Sequence, residues 1–246
     1  MRILVTRPSP DGERTAEALT AMGHDALLAP MLEVRFETDV PIDLTGATAL
    51  AFTSRNGVRA ARAHAAFDAL SKLKAYCVGG ATADEAKAAG FQSVVCADGD
   101  VEALARSIFA AGETGPILHL RGRHAAGDLS GDLEREGIES RAVILYRGEP
   151  VTALTRTTET VLLKGQIDAI LFYSPRTAKT FVSILKDDVL ISARTTSCLC
   201  LSDAIAQPLR DAGFEHVKVA VTPDAASLMR LVVDESVSQQ RHTPTT

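Results

Sequence analysis

The chain has 246 residues, 46% of them hydrophobic and 23% charged, and a formal net charge of −5. That balance is the one expected of a soluble globular protein, and its sign argues against a general affinity for nucleic acid. No apolar run reaches the roughly 18 residues that a membrane helix needs, and residues 1–5 form a strand pattern too short for a secretory leader, so a cytoplasmic protein with no membrane attachment is expected.

The first strand is read over residues 2–6 and the first helix over 11–22, stopped by Gly23. A second strand at 26–29 closes at Pro30. Residues 32–36 alternate apolar and charged, the pattern of a half-exposed strand, and 38–44 reads as linker. From residue 48 strand and helix alternate. Strands are expected near 48–52, 75–78, 93–96, 117–120 and 141–146, with helices near 57–66, 82–89, 101–111 and 127–136. Residues 142–147 run straight into Gly148-Glu149-Pro150, which reads as a second crossing between domains. The last block predicts helices at 153–164, 177–185, 203–212 and 225–237 and strands at 169–172, 196–200 and 216–220, with a frayed polar tail at 238–246. Such alternation argues for parallel sheets covered by helices on both faces.

The chain states its grammar twice. Ala49-Leu50-Ala51-Phe52-Thr53-Ser54-Arg55 and Ala169-Ile170-Leu171-Phe172-Tyr173-Ser174-Pro175-Arg176 both pass from an apolar strand into a hydroxyl, an Arg and a helix. Residues 76–83 and 199–206 each lead into a helix, ending at Gly90-Phe91 and Gly213-Phe214. Strand 93–96 before Asp100 has its echo in 217–220 before Asp224, and Ile3–Arg7 has its echo in Ile117–Arg121. The order of units favours an internal duplication and hence two domains. At each copy the Ser is placed to cap the following helix, and amides left free in its first turn favour an anion. Arg7, Arg55, Arg121, Arg123, Arg147 and Arg176 stand at or just past strand ends and add positive charge there, although each is equally readable as a solvated surface arginine.

Cys77, Cys96, Cys198 and Cys200 all fall in predicted strands with no Cys-x-x-Cys pair, which reads as buried reduced thiols rather than a metal or disulfide framework. The histidines show no ligand spacing, and His119, inside an apolar strand, reads as structural. No dinucleotide fingerprint or phosphate loop occurs, so no cofactor and no metal are implied.

In order and spacing, Phe52-Thr53-Ser54, Val78-Gly79-Gly80-Ala81-Thr82-Ala83, Ile144-Leu145-Tyr146, Phe172-Tyr173-Ser174-Pro175 and Thr222-Pro223 resemble the uroporphyrinogen-III synthase family over nearly the whole chain. The resemblance implies two similar α/β lobes, each a parallel sheet flanked by helices (flavodoxin-like), joined by a two-stranded ladder. One lobe would comprise residues 1–34 and 148–246, the other 36–145. It implies a lyase that loses water from hydroxymethylbilane, a linear tetrapyrrole with eight carboxylates. The last ring is inverted through a spiro intermediate, giving uroporphyrinogen III for haem, sirohaem or cobalamin. A monomer is implied, receiving its substrate from the bilane-forming enzyme in a cleft between lobes. Tyr146 is the implied catalytic acid, a ring packed at the hinge being the other reading. Ser54, Gly79, Gly80, Ala81, Thr82 and Ser174 would line the substrate site, with Arg7, Arg121, Arg123 and Arg176 as charge partners. For Thr82 a simple helix cap is the alternative. The family's second Gly-x-x-Thr-Ala turn is here Ser202-Asp203-Ala204-Ile205-Ala206, which puts Asp203 where carboxylates are expected. A non-catalytic binding module for a small polyanion is the alternative function, because fold alone does not fix chemistry.

Overall fold

The computed structural model describes residues 1–124 and 127–242, with side chains through 238. In chain order its elements are β1 (Arg2–Val5), α1 (Asp11–Ala21), β2 (Asp25–Leu28), β3 (Leu32–Phe36), β4 (Ala49–Phe52), α2 (Arg55–Ala63), α3 (Phe67–Leu70), β5 (Lys74–Cys77), α4 (Gly80–Ala89), β6 (Val94–Cys96) and α5 (Val101–Ala110). There follow β7 (Ile117–Gly122), α6 (Leu129–Arg135), β8 (Ser140–Pro150), α7 (Arg156–Leu163), β9 (Ala169–Phe172), α8 (Pro175–Ile184), α9 (Asp187–Ala193), β10 (Ser197–Cys200), α10 (Asp203–Asp211), β11 (Val217–Val219) and α11 (Ala225–His242). The chain divides into two compact units, Met1–Glu33 with Glu149–Thr246, and Val34–Gly148. It passes from one to the other within β3 and returns within β8, and these strands are neighbours in the second sheet.

The first unit carries the five-stranded sheet β11-β10-β9-β1-β2, with the pairs parallel. The strands β1, β9 and β10 are apolar on both faces, as a sheet covered by helices on both sides requires. Leu4, Ile170, Phe172, Cys198 and Cys200 enter one core, closed by Phe181 and Phe214. Ile3, Val5, Leu171 and Leu199 enter the other, closed by Leu19, Leu228 and Val232. Buried Glu235 on α11 accepts from Ser197 Oγ and Lys218 Nζ, both at 2.7 Å, fastening the helix across β10 and β11.

The second unit carries the order β3-β8-β7-β4-β5-β6. Matched to the first sheet, β7 and β8 stand where β1 and β2 stand, and β4, β5 and β6 where β9, β10 and β11 stand. This is the correspondence of the sequence echoes, and it shows that the two copies begin at different points of the same spatial order. The packing repeats too: Phe91, after Gly90, meets Phe52 edge-on with ring centroids 5.3 Å apart, as Phe181, wedged between Phe172 and Phe214, does in the first unit. A Glu again fastens the second sheet, since Glu113 accepts from Lys74 Nζ and from the buried Tyr76 hydroxyl, both at 2.8 Å. Burial alone would raise the Glu113 carboxyl, but hydrogen bonds from Lys74, Tyr76 and Thr48 outweigh it and hold it below its usual range.

Some boundaries differ from those read in the sequence. The short helices α3 and α9 fall where no periodicity is long enough to announce them. The last helix runs on to His242 rather than ending at Val237; residues 243–246 of the tail lie outside the described residues. All four cysteines are free, but Cys96 is exposed rather than buried, because β6 is a three-residue edge strand. Burial pushes the Cys77 and Cys200 thiols up to about 12, which leaves them inert.

Candidate active site

In a doubly wound sheet the carboxyl ends of the strands gather the polar residues, above all where the strand order reverses. In the second unit that reversal lies between β7 and β4, in the first between β1 and β9. Both Ser residues read as caps do cap. Ser54 Oγ accepts from Asn56 N at 3.2 Å, opening α2, and Ser174 Oγ accepts from Thr177 N at 3.1 Å, opening α8 with Pro175 in its first turn. Arg176 occupies the next position of α8.

The second unit brings most of the predicted residues to one edge. Gly79 is the cap residue of α4, and Gly80, Ala81 and Thr82 form its first turn. Thr82 is therefore a buried third residue of the helix and not its cap. A Cβ built on Gly79 or Gly80 would meet nothing within 4 Å, so open space faces the turn at both positions, while the Thr82 amide donates to the Gly79 carbonyl at 3.0 Å. Mid-helix contacts tie α2 to α4 behind this edge. Arg59 on α2 donates from Nε and Nη2 to both oxygens of Glu85 on α4, at 3.0 and 2.7 Å, and from Nη1 to Asn56 at 3.0 Å. Gly57 lets α2 approach β7, since a Cβ there would lie 2.6 Å from the Leu120 carbonyl oxygen.

Beside Ser54, the Thr53 hydroxyl lies 3.2 Å from His119 Nε2. His119 is 2% exposed, and burial, with the Arg121 charge adding to it, lowers its pKa to about 4. It is thus a neutral partner that fixes the Thr53 hydroxyl. The sequence reading placed His119 as structural; the contact to Thr53 was not legible, because it joins residues of different strands.

Tyr146 lies level with the end of β7. The β7–β8 register pairs Arg121 with Ile144 and then Gly122 with Tyr146, skipping Leu145. Leu145 turns fully into the core while half-buried Tyr146 lays its ring against Gly122. The Tyr146 carbonyl accepts from Arg123 N at 2.9 Å. The Arg121 guanidinium folds back onto its own turn, donating to the carbonyls of Gly122 at 3.1 Å and Arg123 at 3.4 Å. Arg123 is exposed and, with Arg147, Glu37, Val40 and Pro41, lines a pocket of about 460 Å³ along β8. Arg147 pairs with Glu37 at 3.1 Å.

In the first unit Arg7 is largely engaged by its own unit. Its guanidinium stacks 4.1 Å from the Tyr173 ring centroid, lies 3.5 Å from an Asp11 oxygen, and reaches Thr15 at 3.4 Å. Asp203, where the second turn departs from the family pattern, is strongly exposed and pairs with Arg210 along its own helix at 3.1 Å. Among the described residues no group of three or more His, Cys, Asp or Glu is placed to hold a metal ion, and no helix is long and apolar enough to cross a membrane.

Fold and site together define a class: α/β proteins of two parallel-sheet units whose polar residues collect at the carboxyl ends of the strands. Within that class, the family model described as uroporphyrinogen-III synthase HemD matches residues 13–230, and the chain belongs to this family. It is similar to the crystal structure of uroporphyrinogen-III synthetase from Helicobacter pylori 26695, with a TM-score of 0.66 and 19% identity, covering 95% of this chain and 99% of that one. It is also similar to a mutant uroporphyrinogen III synthase from the extremely thermophilic bacterium Thermus thermophilus, with a TM-score of 0.56 and 18% identity, covering 97% and 99%. At these identities the likeness carries the fold, and the family match carries the enzyme. No curated sequence relative matches the chain.

Proposed function

We propose that the chain is a cyclising hydro-lyase that converts hydroxymethylbilane to uroporphyrinogen III in the cytoplasm. The observation that carries the reading is the family match over residues 13–230. The chemistry requires departure of the terminal hydroxyl as water: the C–O bond breaks, a proton joins the leaving oxygen, and an electrophilic azafulvene remains. The last pyrrole attacks from its substituted carbon, gives a spiro intermediate, and is inverted before the ring closes.

The bilane closes spontaneously to the uninverted isomer, so the protein's task is chiefly to hold shape, and orientation is the source of selectivity. The uncrowded start of α4 at Gly79–Ala81, and the starts of α2 and α8 after Ser54 and Ser174, suit carboxylates without demanding particular side chains. Exposed Arg123, and Arg176 in the first turn of α8, add charge, while Arg7 and Arg121, each already bonded within its own unit, contribute their remaining N–H donors. In this reading Tyr146, whose ring rests against Gly122 at the end of β7, donates its phenol hydrogen toward the departing hydroxyl. A polyanion-binding module without chemistry has no observation in its favour.

The test is kinetic. The protein should speed consumption of freshly made bilane well above the buffer rate; equal rates in buffer and with folded protein would overturn the reading. A neutral hydrogen bond alone is worth about 2–13-fold and general acid catalysis about 10²–10⁴-fold. Because elimination of water is not a high barrier here, Tyr146→Phe should lower kcat roughly tenfold to a hundredfold. It keeps the ring, so its thermal midpoint should barely move. An unchanged kcat would assign Tyr146 to packing alone.

A further inference from the structure

We infer that Gly122 is a positioning residue for Tyr146: the missing side chain at the end of β7 is the seat on which the phenol ring rests, and it sets where the hydroxyl stands. This rests on the reading that the Tyr146 hydroxyl takes part in the reaction. Gly122 is not needed for its backbone conformation, since it is a strand residue and not among the glycines of positive φ. Its need is spatial. A Cβ built there would lie 2.6 Å from Tyr146 Cζ, 2.7 Å from Cε2 and 3.0 Å from the hydroxyl oxygen. Three contacts so short fall on the far end of one ring, the end that carries the reactive atom.

The local backbone is arranged to the same purpose. The skipped Leu145 is a bulge, the device by which a strand re-aims a side chain, and it brings Tyr146 directly opposite Gly122. The turn is then held on both sides of the ring. Arg123 N donates to the Tyr146 carbonyl, and the Arg121 guanidinium holds the carbonyls of Gly122 and Arg123. Arg121, read in the sequence as a substrate charge partner, thereby also stiffens the seat.

A methyl at Gly122 obliges the ring to retreat by about 1 Å to recover an ordinary carbon contact of about 3.5–4.0 Å. The hydroxyl, farthest from the ring's pivot, moves most. A misplacement of that size can cost about a hundredfold in rate. Gly122→Ala should therefore lower kcat by about 10–100-fold with KM little changed, and lose no more than Tyr146→Phe loses.

The decisive measurement is a double-mutant cycle on the full chain, with kcat and KM read for bilane. In the Tyr146→Phe background Gly122→Ala should cost nothing further, because no hydroxyl is left to misplace; losses that multiply would overturn the inference. The chain has three tyrosines, so fluorotyrosine labelling gives a short spectrum, and the signal lost in Tyr146→Phe identifies Tyr146. That signal should shift in Gly122→Ala, and a signal that stays put would overturn the inference. Arg121→Gln reaches the same turn without adding a Cβ and covers the case in which Gly122→Ala does not fold. Its loss in kcat, as distinct from the rise in KM expected from its lost donors to substrate, should likewise vanish in the Tyr146→Phe background, and a kcat loss that persists there counts against the seat. If Tyr146→Phe is as active as the parent, the reading of the phenol fails and the inference with it. If Tyr146→Phe is impaired but Gly122→Ala is not, the inference alone fails.

Discussion

His119 shows how burial, rather than sequence neighbourhood, sets a residue's chemistry. In the unfolded chain its imidazole titrates at the ordinary value of 6.5, and in the folded chain at about 4. The folded value is depressed, so between these limits the unfolded state binds the extra proton and stability rises with pH. The contribution is complete above 6.5 and is lost as pH falls toward 4, amounting to roughly 3 kcal/mol at most. Urea unfolding of the parent between pH 6.5 and 5 should thus show a slope that His119→Gln flattens; equal slopes would mean that His119 is protonated in the fold. A lone histidine in an apolar strand is legible as structural. Its hold on Thr53, and the seat that Gly122 gives Tyr146, are not, because each joins residues brought together by strand pairing. Thr82 is the converse case: its helix was legible, but the register that makes it the third residue and Gly79 the cap was not.

Pairs of elements carry the site more than single helices do. The helices α2 and α4 keep their spacing because Arg59 and Glu85, near the middle of each, meet through two hydrogen bonds with side chains only 10% and 15% exposed. Breaking a buried, doubly bonded ion pair is costly because the surviving partner stays desolvated. Glu85→Gln retains part of the hydrogen bonding, so a loss of about 2–3 kcal/mol in urea unfolding is expected. With the two helices loosened from each other, KM for bilane should rise by a larger factor than kcat falls. A stability loss with KM unchanged would separate this clamp from substrate binding. Most strands and long helices could be read from apolar runs and from Gly, Ser and Pro punctuation. The bulge at Leu145 could not, because a one-residue change of register leaves the apolar pattern of 143–146 intact.

At the scale of the whole molecule, one sheet order is built twice, from strands that enter the chain at different points. The sequence echoes made the duplication legible. The echo of residues 3–7 at 117–121 already implied the change of starting point, and the ladder of pairs fixes it by placing β7 beside β4 as β1 lies beside β9. Each unit presents a Ser-capped helix start at the carboxyl edge of its own sheet. The central claim is that this chain dictates which isomer forms. The most direct measurement is the isomer ratio of the product made from fresh hydroxymethylbilane by purified protein stripped with chelator and given no nucleotide or flavin. Isomer III as the main product is the predicted result; isomer I alone, from protein still folded, would contradict it.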